Sequence, residues 1–157
     1  MCGVFGNLTS AIFLPTLVQV GASGALMGFL GVLLADLIQN WSLLQSPVKN
    51  LLQLLFTILI SLAVGFILPG VDNFSHIGGF LMGIVTGFIF LPNLSYGKCQ
   101  ARMRICVVCS FIPMCAIAFI VGFVVFYAGM DANDWCGFCS YITCYEGFSW
   151  CGSRNVK

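Results

Sequence analysis

Four long stretches of this chain contain no Asp, Glu, Lys or Arg: residues 1–35, 50–71, 73–97 and 105–130. A helix crossing the hydrocarbon core of a bilayer needs about 20 such residues, so each stretch offers room for one passage. Only 7% of the 157 residues are charged and 60% are hydrophobic, whereas an average soluble domain is roughly 25% charged. Backbone polar groups in lipid must be hydrogen-bonded within their own segment. The pattern therefore predicts an all-α fold, a multi-pass transmembrane helical bundle whose first partner is the lipid bilayer. A net charge of +1 with no basic cluster excludes nucleic acid, which needs grouped Lys and Arg.

Four helices are expected. The first runs from about Ala22 to Asn40 and ends at Trp41, an interfacial residue. The second follows Ser46-Pro47, from about Lys49 to Leu68, and is stopped by Pro69-Gly70. A third spans about Ser75 to Leu91. The fourth, from about Ile105 to Tyr127, follows a loop carrying Lys98, Arg102 and Arg104, and Pro113 should kink it. Residues 1–21 read as the tail of a helix and a loop; their start lacks the basic region of a cleaved signal peptide. The chain thus divides into 1–21, a core at 22–92, a basic loop at 93–104, an added helix at 105–128 and a tail at 129–157.

Orientation follows from basic residues near helix ends. Lys49, Lys98, Arg102 and Arg104 share one side, which is expected to face the cytoplasm. The N-terminal segment, the 69–75 loop and the tail should face the lumen or exterior. Cysteines sort by the same division: Cys99, Cys106, Cys109 and Cys115 belong to the reducing side or the membrane. Cys136, Cys139, Cys144 and Cys151 fall in the lumenal tail, where they are expected to form two disulfides with three possible connectivities. Zinc is the rival reading of Cys136-x-x-Cys139, but no histidine stands near it; no metal and no cofactor are called for. Asn7-Leu8-Thr9 is a glycosylation sequon on the lumenal side.

The first helix opens Gly21-Ala22-Ser23-Gly24 and continues with small residues at Ala25, Gly28, Gly31 and Ala35. The third carries Gly79, Gly83 and Gly87 just after His76, the only histidine. Small-residue stripes let membrane helices approach backbone to backbone, so these two helices should pack together. They run in the same direction, which brings Ser23 and His76 to similar depth on the lumenal side. A serine within reach of a neutral imidazole is the minimum for an activated nucleophile. Ser23 would attack a carbonyl carbon, His76 would take the proton and return it to the leaving amine, and nearby N–H groups would hold the oxyanion. The bland readings are a packing serine and an interfacial histidine. Asp36 lies about 20 Å from Ser23 along the helix; Asp72 either orients His76 or, with Asn73, caps the third helix.

Gly21-Ala22-Ser23-Gly24-Ala25-Leu26 and Asp72-Asn73-Phe74-Ser75-His76-Ile77-Gly78-Gly79-Phe80 resemble the motifs of the rhomboid family of intramembrane serine proteases, over roughly residues 3–92. The resemblance implies a dyad of Ser23 as nucleophile and His76 as general base, supported by Gly21, Gly24, Gly79 and Gly83, and transmembrane proteins as substrates. It makes residues 3–14 the end of the family's third helix, and the three following helices its fourth to sixth. The last helix would be the added seventh of the eukaryotic secretory-pathway type. The tail from Asp134 to Cys151 looks like that of plant-type members. On this reading the chain is the C-terminal portion of a multi-pass protease of the Golgi or plasma membrane rather than the mitochondrion. The family's oxyanion-stabilising asparagine on its second helix has no counterpart here, and Met27 stands where the family usually has an aromatic. A non-catalytic relative that binds membrane helices for trafficking or degradation is the alternative, and a transporter piece lacks an intramembrane charge pair.

Overall fold

A computed structural model describes residues 1–14, 21–67, 71–91, 98–129 and 136. Among them every regular element is helical: α1 (Cys2–Phe13), α2 (Ser23–Gln39), a 3₁₀ turn (Trp41–Leu43), α3 (Pro47–Ile67), α4 (Asn73–Phe90) and α5 (Lys98–Tyr127). Among the described residues three helices are long and apolar enough to cross a membrane, Pro47–Ile67, Asn73–Phe90 and Arg104–Tyr127. The sequence predicts four. The difference is α2, whose 17 residues span only about 25 Å, because Ala22 precedes its first turn and Asn40 closes it with a backbone bond to the Asp36 carbonyl, 2.9 Å. The 3₁₀ turn carries the chain onward to α3.

Two other boundaries move for local reasons. α3 begins at Pro47, where a fixed φ and a missing N–H cost nothing. α5 begins at Lys98 instead of Ile105, so the expected basic loop is largely its first two turns; Lys, Gln, Ala, Arg and Met are all strong helix formers. Arg104 Nη2 donates to the Leu91 carbonyl at 3.4 Å, tying α5 to the end of α4. α5 passes through Pro113 and stops at Gly129, whose φ of +63° is the left-handed conformation that glycine supplies at a helix end.

The bundle is organised on the α2–α4 pair. Gly79 and Gly83 face the carbonyl oxygens of Gly24 and Gly28, and Gly87 faces Ala35, in the register that both glycine stripes predict. α1 fills the adjoining groove: a methyl placed on Gly6 would stand 2.7 Å from the Ser75 carbonyl, and Thr9 lies against Gly78. α5 closes over α1 and α4 through Phe5–Phe119 (5.2 Å between centroids), Phe88–Phe111 (5.1 Å) and Leu8 against Gly122. α3 is embedded along one face only. Its buried residues are Leu54, Ile58 and Gly65, the first two clustered with Met27 of α2, and the rest of its surface is left for lipid.

Candidate active site

Ser23 is the first residue of α2 and His76 sits in the first turn of α4. Parallel packing of these helices brings both residues to the wall of one cavity of about 460 Å³, shared with Gly21, Met27 and Asp72. Ser23 is partly exposed to it, whereas His76 is only 4% exposed. Both imidazole nitrogens are buried without a hydrogen-bond partner. Neither is bonded to Ser23 or to Asp72, so both remain able to accept or donate. Leu26 and Ile60 line the cavity while being 66% and 47% exposed, so it opens sideways between α2 and α3.

The local fold decides the role of Asp72. Its carboxylate accepts from the backbone N–H of Phe74 (2.8 Å) and of Ser75 (3.0 Å), satisfying two of the donors that a helix start leaves unpaired. Asp72 is therefore the cap of α4 and holds the backbone on which His76 is mounted, without a hydrogen bond to the imidazole. Asp72→Ala should destabilise the protein by about 1–2 kcal/mol, read as a lowered Tm in detergent micelles, while Asp72→Asn, which keeps one acceptor, should lose less.

Of the glycines grouped with the dyad, only Gly21 belongs to the cavity; Gly24, Gly79 and Gly83 belong to the α2–α4 contact beneath it. Met27 is 3% exposed and reaches both the cavity and the core cluster. The residue that sequence reasoning missed is Asn7, read there only as a sequon, which the structure puts on the wall of the same cavity. The small residues Gly3 and Gly6, one turn and less before it, pack α1 on Ala25 and Ser75, and that spacing was the available signal. Cys136 is disulfide-bonded; Cys139, Cys144 and Cys151 lie outside the described residues.

The first turn of α2 adds one more capability. Its earliest N–H groups, those of Ser23 and Gly24, have no acceptor within the helix, and a helix N-terminus favours developing negative charge. A hydroxyl, an imidazole and backbone donors thus meet at one opening.

Comparison with known proteins bears on this arrangement. A family model described as the Rhomboid domain matches residues 1–93. The chain is 38% identical to RHOMBOID-like protein 1 of Arabidopsis thaliana, over 98% of this chain and 44% of that protein. It is 36% identical to RHOMBOID-like protein 6, mitochondrial, of the same plant, over 94% of this chain and 53% of the other. Inactive rhomboid protein 1 of Danio rerio is 37% identical over 92% of this chain and 16% of its own length. The chain thus spans about half or less of the relatives it matches.

Proposed function

This chain belongs to the rhomboid family, and from that premise we propose that it carries the catalytic dyad of an intramembrane serine endopeptidase. It is an integral membrane protein, and its substrates on this reading are other membrane-spanning proteins, cut near the lumenal face. The carrying observation is that Ser23 and His76, 53 residues apart in the numbering, line one cavity that opens between α2 and α3. Ser23 Oγ attacks the scissile carbonyl carbon as His76 takes the hydroxyl proton. The oxyanion forms beside the N–H groups of the first turn of α2. The imidazolium then protonates the leaving amine, and water, deprotonated by the same imidazole, releases the acyl group and restores the hydroxyl. The secretory pathway is the proposed location, in keeping with a cysteine-rich tail on an oxidising side, although one relative is named mitochondrial.

The second reading is a non-catalytic protein that binds membrane helices. It draws on the inactive relatives and on imidazole nitrogens that make no bond to Ser23. A fluorophosphonate probe separates the two, because only an activated serine reacts with it. Under the protease reading it should label Ser23, identified by mass spectrometry of the adduct, and labelling should vanish in Ser23→Ala and collapse in His76→Ala. Labelling that ignores His76, or none at all, gives the site to the second reading.

A further inference from the structure

A second cavity, of about 310 Å³, lies between α2 and α3 on the far side of Leu30 from the dyad; Leu30 lines both. Its apolar walls are interrupted by Asp36 of α2 and by Asn50, Gln53 and Thr57 of α3. Spacings of three and four put those three α3 residues on one helix face, which Ser61, one turn on, continues to the first cavity. Asp36 accepts one hydrogen bond, from Asn40 Nδ2 at 2.8 Å, and among the described residues it makes no ion pair. The nearest cation in sequence to the stripe, Lys49, is exposed and does not line the cavity. Ionisable groups at membrane depth ordinarily face a cavity and find a partner. Here the cavity is present, and among the described residues Asp36 has the Asn40 amide but no cation.

We propose that this cavity receives a lysine or arginine side chain from the cytoplasmic end of the membrane helix bound at the dyad, with Asp36 as its counter-charge. The inference rests on the proposed function and extends it to substrate selection. Three observations fit this occupant. Asp36 follows Ser23 by 13 positions, about 20 Å along α2, so a helix meeting the dyad at one end reaches the cavity near its other. With the α2–α3 connection in the cytoplasm, that end is where membrane proteins concentrate Lys and Arg. The walls also offer several oxygen acceptors: the amide oxygens of Asn50 and Gln53 and the Thr57 hydroxyl, which itself donates to the Gln53 carbonyl at 2.9 Å. A multi-donor ammonium or guanidinium uses such acceptors, and a quaternary ammonium headgroup has no donor to offer them.

The test uses the full chain in phosphatidylcholine vesicles and two single-span reporters, identical except for a Lys-Arg or a Glu-Glu pair at the cytoplasmic end. A photocrosslinking residue beside that pair reads binding without needing cleavage. The native chain should capture the basic reporter in preference, Asp36→Asn should reduce that capture by up to about fivefold, and Asp36→Lys should reverse the preference toward the acidic reporter. A preference unchanged in Asp36→Lys, or an equal loss for both reporters in both variants, overturns the proposal. So does capture that follows added phosphatidylethanolamine instead of reporter charge, which assigns the cavity to a lipid. If fluorophosphonate labelling fails while the charge reversal holds, the protease reading falls and the cavity stands as a feature of helix binding.

Discussion

Ser23→Ala and His76→Ala are each expected to reduce cleavage of a reporter membrane helix by about 10³-fold or more, to the uncatalysed background. Removing the hydroxyl removes the proposed nucleophile, whereas the other two hydroxyls on the cavity wall, those of Ser61 and Ser75, stay in place and should not sustain cleavage. Removing the imidazole takes away both proton transfers, and general acid–base catalysis alone is worth about 10² to 10⁴. The double variant should be no slower than either single one, since groups that act as a unit do not contribute additively. Binding should survive Ser23→Ala, because Ser23 is partly exposed at the cavity and the α2–α4 seam closes through the glycines below it. His76 is buried, so His76→Ala also leaves a void, and His76→Asn keeps more of the volume while still lacking a base. Equal loss of cleavage in both His76 variants, with unchanged Tm in the second, separates chemistry from packing. Cleavage persisting in Ser23→Ala, read from the reporter band resolved on a gel, excludes the dyad.

How much of this was legible beforehand depends on the range of the interaction involved. Helix identity and the α2–α4 pairing were open to sequence reading because charge-free length and a four-residue glycine period are local properties. The shared depth of Ser23 and His76 followed from the same periods and from one intervening helix. Asn7 was hidden because its place on the cavity depends on α1 packing across α4 through Gly6 and Thr9, a contact between segments about 70 residues apart. The role of Asp72 stayed open between cap and orienting group until its oxygens were located at the N–H groups of Phe74 and Ser75. The polar stripe on α3 was visible as residue types, but its meaning required seeing that it faces Asp36 on α2.

Gly79→Val and Gly83→Val are expected to be among the most destabilising single substitutions in the bundle, each by about 3 kcal/mol or more. A side chain at either site points into backbone: the carbonyl oxygen of Gly24 in one case and of Gly28 in the other. A carbonyl held in a helix cannot rotate away as a side-chain tip can, so α2 and α4 must separate. Separation forfeits dispersion contacts along the whole seam and the Cα–H contacts to those carbonyls, which carry helix association in lipid where hydrophobic exclusion is weak. Two comparisons isolate the cause. At Gly122 an added methyl meets only the end of the Leu8 side chain, Cδ2 at 2.7 Å and Cγ at 3.4 Å, and a leucine tip can shift; at Gly21 it meets Ser23 Oγ at an ordinary 3.7 Å. Gly122→Ala and Gly21→Ala should therefore stay close to the native Tm in micelles, while the two valine variants unfold far earlier. Since the same seam sets the relative depth of Ser23 and His76, smaller steps at it should reach the chemistry first. Gly79→Ala is expected to lower fluorophosphonate labelling of Ser23 at temperatures where circular dichroism still reads a folded helical bundle, and labelling lost only together with helicity would show that the seam supports the fold without setting the dyad.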